Sequence, residues 1–216
     1  CHIFPKFTLQ LGRKFSANNK PCNFHFMRYI LTALLIGLSA SVFGRTDFVP
    51  YSEYSVRGNA GFMKTFVSGL PGDYSFAGTT FGGRFVYFGE KYCAAMIEVN
   101  YSNFTGTQTE VDGMSFSFVE TPLMTRIRIP MKRTAVSINL GSYIQFPLSY
   151  SSEIVMERSA LLGLAGGLEF SFPVGKKLDL GIEGRYNYNL HSNSTTIDDL
   201  WSSWIQFGIV LSYRSK

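Results

Sequence analysis

Ten charged residues lie within stretches of alternating apolar and polar residues, where charged side chains are unusual. Five are arginines and five are carboxylates, so the set is electrically balanced. Burying a charge is costly unless an opposite charge pairs with it. The balance therefore predicts a network of ion pairs in the protein interior. Its members are Arg57, Arg84, Glu98, Glu120, Arg126, Arg128, Glu169, Asp179, Glu183 and Arg185.

His191 is a second candidate for chemistry, because the segment "HSNSTT" places hydroxyl groups beside it. A Ser–His pair would suit a lipid hydrolase or acyltransferase of a membrane. However, a catalytic pair must be held on rigid, supported positions, and this segment has the composition of a loop. No GxSxG, HExxH or P-loop motif occurs, and no group of residues has metal-ligand spacing. We therefore expect no enzyme activity, no catalytic residue, no metal and no cofactor, and a lipid-modifying enzyme centred on His191 is the alternative.

The basic character of the chain comes from its first 44 residues. The formal net charge is +5, and that segment holds five basic residues and no acidic one: Lys6, Arg13, Lys14, Lys20 and Arg28. From Arg45 onward basic and acidic residues balance. The charge therefore does not predict a nucleic-acid partner.

Residues 27–44, "MRYILTALLIGLSASVFG", have the features of a secretory signal peptide. Arg28 precedes an apolar run, and Val42 and Gly44 fit the small-residue positions of a cleavage site. The run is shorter than the roughly 20 residues of a spanning helix. Residues 1–26 lie upstream of a plausible start, and we interpret them as an over-extended start or non-native leader. The predicted mature domain is 45–216.

Within that domain, strand-like segments are joined by connections that alternate between long and short. The segments are 55–67, 77–88, 92–104, 114–129, 135–150, 159–173, 177–188 and 201–214. Short periplasmic turns and longer outer loops are typical of outer-membrane β-barrels, which have an even number of strands. The outer loops would be 68–76, 105–113, 151–158 and 189–200, and any recognition would lie there.

The two faces of these segments differ in polarity. In "VETPLMTRIRI", Leu123 and Ile127 share one face, whereas Glu120, Arg126 and Arg128 share the other. A soluble barrel turns its apolar face inward, and a membrane barrel turns it outward. The alternative to a membrane barrel is a secreted soluble lipocalin-like barrel that binds an apolar ligand.

Small and aromatic residues favour the membrane arrangement. The polar faces hold small residues that a narrow interior requires: Gly82, Gly141, Gly163, Ala165, Gly167, Gly181 and Gly208. Aromatic residues gather near strand ends, as in an interfacial girdle: Tyr87, Phe88, Tyr92, Tyr143, Phe146, Tyr150, Tyr186, Tyr188, Trp201, Trp204 and Tyr213. The sequence therefore predicts an all-β fold, an eight-stranded antiparallel up-and-down transmembrane β-barrel, with the ten charges in its lumen.

Four segments resemble strands of the PorT-like outer-membrane β-barrel proteins of Gram-negative bacteria: "FVETPLMTRIRIP", "GSYIQFPLSY", "GLAGGLEF" and "LDLGIEGRYNYNL". The resemblance covers most of 55–214. It implies an eight-stranded barrel in the cell outer membrane, with outer-membrane lipid and the barrel-assembly machinery as partners. One relative takes part in a protein-secretion system, whereas most members have no assigned activity, and any protein partners would bind through the outer loops. Because an eight-stranded barrel has little free interior, we expect a plugged lumen and a structural or interaction role.

Overall fold

The computed structural model describes residues 48–67, 73–107, 114–150, 160–190 and 200–215. These residues form a closed antiparallel barrel in which each strand pairs with the next and the last pairs with the first. The strands are β1 (Tyr51–Val67), β2 (Asp73–Phe88), β3 (Cys93–Gly106), β4 (Ser115–Pro130), β5 (Ala135–Tyr150), β6 (Leu161–Pro173), β7 (Leu178–Asn189) and β8 (Leu200–Ser215). The predicted eight-stranded up-and-down barrel is confirmed.

Several sequence predictions fall outside the described residues. They are the leader 1–26, the signal peptide 27–44, His191 and most of each predicted outer loop. In the described part of the chain, no helix is long and apolar enough to cross a membrane.

Two of the strands, β2 and β3, extend further toward the outer loops than the sequence indicates. The segment 73–76, predicted as loop, is the start of β2, because the pairing of β1 with β2 continues to Phe66 opposite Asp73. In the same way, residues 105 and 106 continue β3: Gly106 lies opposite Phe76 of β2, and Thr105 lies between Ala77 of β2 and Ser115 of β4. Hydrogen bonds to neighbouring strands carry the ladder past the point where the alternation of polar and apolar residues fades.

The apolar face of the barrel points outward. Leu123, Ile182 and Phe207 are exposed, whereas Glu120 and Arg126 on the opposite faces are buried. This is the arrangement of a membrane barrel. It is the reverse of what the soluble lipocalin-like alternative requires.

Three residues of the predicted aromatic girdle lie inside the barrel instead. Phe88, Tyr143 and Trp204 are buried, so their assignment to the girdle was wrong. Successive side chains of a strand point to opposite faces, and Trp204 shares the face of the inward-pointing Gln206. The girdle residues that the structure shows exposed are Tyr87, Tyr92, Phe146, Tyr186, Tyr188 and Tyr213. The side chains of Tyr150 and Trp201 lie outside the description.

Small residues give the interior side chains their room. A Cβ atom placed on Gly163 would overlap the ring of Tyr143, whose hydroxyl donates a hydrogen bond to Asn189 Oδ1 over 2.7 Å. Gly82 and Gly208 are in close contact with Asn100 and Asn59 in the same way. The predicted need for small residues on the inner face is therefore met by specific pairs of neighbours.

Gly163→Ala is expected to lower the free energy of unfolding by about 1–3 kcal/mol, because the added methyl group must displace the Tyr143 ring and break its hydrogen bond. Gly83→Ala is the matched control: Gly83 faces outward, and its added Cβ would approach nothing nearer than Ser55 O at 4.0 Å. Urea unfolding in detergent micelles, followed by tryptophan fluorescence, measures both. Equal stability of the two variants would contradict the packing described here.

Candidate functional site

Eight of the ten predicted charged residues lie inside the barrel near the middle of the strands. We call this group the central cluster. Each member is at most 3% exposed. Each of these residues occupies an inward-facing position of its strand, and six of the eight strands contribute one or two of them. The members are Arg57 of β1, Arg84 of β2, Glu98 of β3, Glu120 and Arg126 of β4, Glu169 of β6, and Glu183 and Arg185 of β7.

Arg84 is the hub of the central cluster. Its Nε lies 2.5 Å from Glu98 Oε1, its Nη1 2.5 Å from Glu169 Oε2, and its Nη2 2.5 Å from Glu183 Oε2. One guanidinium group therefore joins β2 to β3, β6 and β7 across the lumen. Glu169 and Glu183 are direct partners in the pairing of β6 with β7. Like charges directly opposite each other destabilise a sheet, and Arg84 offsets that repulsion by binding both.

Glu98 forms ion pairs with three arginines, as Arg84 does with three carboxylates. Its Oε2 accepts hydrogen bonds from Arg57 Nη1 over 2.7 Å and from Arg185 Nη1 over 2.6 Å. Arg185 Nη2 also donates to Glu98 Oε1 over 2.9 Å, so this pair is bidentate. Bidentate Arg–carboxylate pairs are among the stronger hydrogen-bonded contacts in proteins. The two hubs make the cluster one connected network.

Two members of the central cluster are less fully paired. Arg126 contacts Glu169 through Nη2, and its Nε and Nη1 have no hydrogen-bond partner within the described ranges. Glu120 accepts a hydrogen bond from Asn100 Nδ2 over 3.2 Å, but it makes no ion pair with any described residue. The structure therefore buries Glu120 where the sequence placed it, but does not join it to an arginine.

The other two predicted charges, Arg128 and Asp179, belong to a separate group beside the short turns. Arg128 Nη2 lies 3.0 Å from Asp179 Oδ2, and its Nη1 contacts Glu53. Arg214 Nη2 also contacts Asp179, and its Nε lies 3.7 Å from Glu53 Oε1. We call these two arginines and two carboxylates the turn-side cluster. Neither Glu53 nor Arg214 was among the ten predicted charges, although the even spacing of Glu53 from Arg57 places both on one face.

A layer of aromatic side chains fills the opposite end of the barrel, where the strands meet the outer loops. The rings of Phe76 and Phe116 lie 4.8 Å apart between centroids. Trp204 lies 5.5 Å from both Phe118 and Tyr143. All five are at most 5% exposed. Together with Phe104, which stacks on Phe118, they form what we call the aromatic layer.

The described interior side chains mainly form ion pairs that link one strand to another. The interior arginines and carboxylates largely neutralise one another. Within the described ranges, no group of three or more His, Cys, Asp or Glu side chains is placed to hold a metal ion. What the arrangement does is tie strands together across the lumen and occupy the space between them.

Fold, outward apolar face and buried charges define the class: the chain has the fold of the eight-stranded outer-membrane β-barrels. OprG from Pseudomonas aeruginosa is similar, with a TM-score of 0.52 and 12% identity over 76% of this chain and 96% of that one. Ail of Yersinia pestis matches with a TM-score of 0.47 and 15% identity over 75% and 99% of the two chains. Neisserial surface protein A matches with a TM-score of 0.44 and 16% identity, over 73% of this chain and 96% of that one.

No family model matches the chain, and no curated protein does so either. At 12% identity, the likeness to OprG establishes the fold alone.

Proposed function

We propose that this protein is an integral barrel of the cell outer membrane, of the PorT-like family, with a closed lumen and a structural or interaction role. The observation that carries the proposal is the filling of the lumen at two levels. The central cluster occupies the middle, and the aromatic layer occupies the end beside the outer loops. It is a non-enzymatic protein in this proposal.

Passage of an ion or solute through the middle would require Arg84 or Glu98 to give up its partners. Breaking a buried pair by removing one partner costs about 3–5 kcal/mol, and Arg84 has three such pairs. Beyond them, the buried rings of Trp204 and its aromatic neighbours fill the path at the outer-loop end. Both levels support a closed lumen.

An interaction role would be carried by the outer loops, since connecting segments bear binding residues more often than the scaffold does. Export by a cleaved signal peptide at 27–44 and insertion by the barrel-assembly machinery belong to the same proposal. So does membership of a secretion or envelope complex, which the resemblance to PorT-like proteins suggests. The lumen itself does not suit the apolar ligand of a lipocalin-like barrel, because its middle is lined by ion pairs.

Membrane insertion is tested with protein expressed from Met27. We expect it in the outer-membrane fraction, soluble only in detergent, and migrating faster on gels when unheated than when boiled. Closed antiparallel barrels with an apolar exterior behave in this way because no strand edge is free. Recovery as a detergent-free soluble protein would contradict the proposal.

The closed lumen is tested by single-channel recording of the purified protein in planar lipid bilayers. We expect no stable conductance steps, because the central cluster and aromatic layer obstruct the path. A general diffusion porin in the same bilayers confirms that the assay detects channels. A wide, reproducible conductance from heat-modifiable, folded protein would overturn the closed lumen while leaving the membrane fold intact.

A further inference from the structure

A cavity of about 630 Å³ lies at the turn end of the barrel. It is bounded by the turns that join β2 to β3 and β4 to β5, and Arg128, Asp179 and Arg214 of the turn-side cluster line it. Small-molecule sites in proteins commonly have volumes of roughly 300–1,000 Å³. The cavity is therefore of a size that suits a small ligand.

The charges that line this cavity are strongly unequal. Among the described residues, its lining includes five cationic side chains, Lys91, Arg128, Lys132, Arg133 and Arg214, and one carboxylate, Asp179. Arg128 and Arg214 are already held by Asp179 and Glu53. Lys132 and Arg133 are exposed and have no ion-pair partner among the residues that the structure describes.

The remaining positive charge is therefore concentrated on the β4–β5 turn, with Lys91 beside it. Lys91 lies over the ring of Tyr92 at 5.1 Å from its centroid, and it forms no ion pair with any residue that the structure describes. Lys and Arg side chains are the usual protein partners of carboxylate and phosphate groups. Among the described lining residues, nothing neutralises the turn-side excess.

The wall of the cavity is also partly apolar. Phe48, Tyr51 and Met131 contribute to its lining, and the Tyr51 ring is fixed by stacking on Phe88 with centroids 4.7 Å apart. A cavity with cations at its rim and a fixed aromatic ring in its wall suits a ligand that has both an anionic and an apolar part.

We propose that this cavity binds a small organic anion, a carboxylate or phosphate joined to an apolar group, that enters from the side of the short turns. Lys132 and Arg133 bind the anionic group, and the Tyr51 side of the wall packs against the apolar group. The site does not depend on whether the lumen is closed, because it lies outside the central cluster.

Phenyl phosphate is the probe, and isothermal titration of the folded protein in maltoside micelles is the measurement. We expect saturable binding at one site, several-fold tighter than that of inorganic phosphate, and no binding of phenol. If inorganic phosphate binds as tightly as phenyl phosphate, the proposed contact between the cavity wall and an apolar group is wrong. Absence of saturable heat up to about 10 mM phenyl phosphate, roughly tenfold above a Kd of 1 mM, would overturn the site itself.

Two double variants separate a specific site from general attraction to a basic surface. Lys132→Ala with Arg133→Ala removes two charges from the cavity rim. Lys176→Ala with Lys177→Ala removes two charges from another short turn, which does not line the cavity. We expect the first pair to weaken binding by about tenfold or more and the second by less than about twofold, since exposed charges at a distance are largely screened. Equal weakening would overturn the site, and heat-modifiable mobility verifies that both variants fold.

Discussion

Arg84→Met is expected to lower the free energy of unfolding by about 3–5 kcal/mol, among the largest effects of any single substitution in this barrel. Methionine approximates the volume of the arginine stem but supplies no charge. Its introduction leaves Glu169 with Arg126 alone and removes one arginine from Glu98 and Glu183. Three carboxylates then lie within the barrel with one compensating charge fewer. Buried charges that lack a partner are strongly destabilising.

The measurement is urea unfolding in detergent micelles, with gel mobility and tryptophan fluorescence as independent readouts. Arg133→Met is the matched control, because it makes the same chemical change on an exposed turn whose arginine has no described ion-pair partner. Its expected effect is within about 0.5 kcal/mol. If both variants unfold at the same urea concentration, the central cluster does not stabilise the barrel.

A second substitution distinguishes loss of charge balance from loss of packing. Glu183→Gln in the Arg84→Met background removes one of the two carboxylates that face each other in the β6–β7 pairing and that Arg84 no longer bridges. It leaves no arginine unpaired, because Arg57 and Arg185 both keep Glu98 as a partner. We expect the double variant to recover part of the stability lost in the single variant. No recovery would mean that the cost of Arg84→Met lies in the packing of its side chain.

The strands and their inward and outward faces could be predicted because both depend on residues that are close together in the sequence. Inward and outward residues alternate with a period of two, so Glu98 and Arg126 were assigned to the interior from their immediate neighbours. The pairing of those charges could not be predicted in this way. Arg84 and Glu169 are 85 residues apart and meet across the lumen. Their contact depends on the relative heights of non-adjacent strands, which alternation leaves undetermined.

The aromatic layer was missed for a related reason. Aromatic residues near a strand end are typical of an interfacial girdle, and position along the strand does not distinguish an outward ring from an inward one. Counting from a charged neighbour on the same strand does distinguish them: Phe118 lies two residues from Glu120, and both are buried. Odd or even spacing from a charged residue therefore predicts whether an aromatic ring faces the lumen or the lipid. It is a better guide than distance from the strand end.

The outward face is the part of the fold on which membrane insertion depends most, and Leu123→Arg tests it. Leu123 is 63% exposed in the middle of β4. In a lipid bilayer we expect Leu123→Arg to lower the free energy of unfolding by about 2–4 kcal/mol, because an arginine near the midplane must be desolvated or distort the bilayer. Folding into phospholipid vesicles, measured by reversible denaturant titration, gives the value.

Leu178→Arg is the control for that experiment, because Leu178 is also exposed, at 41%, but is the first residue of β7. At that depth the expected cost is about 0–1 kcal/mol, since an arginine at the interface remains hydrated. The difference between the two variants matters more than either value. On a soluble barrel both side chains would face water and both substitutions would have nearly the same small effect. A cost that depends on height along the strand arises only if lipid surrounds the barrel, so equal costs in vesicles would contradict the membrane assignment even if the eight strands are correct.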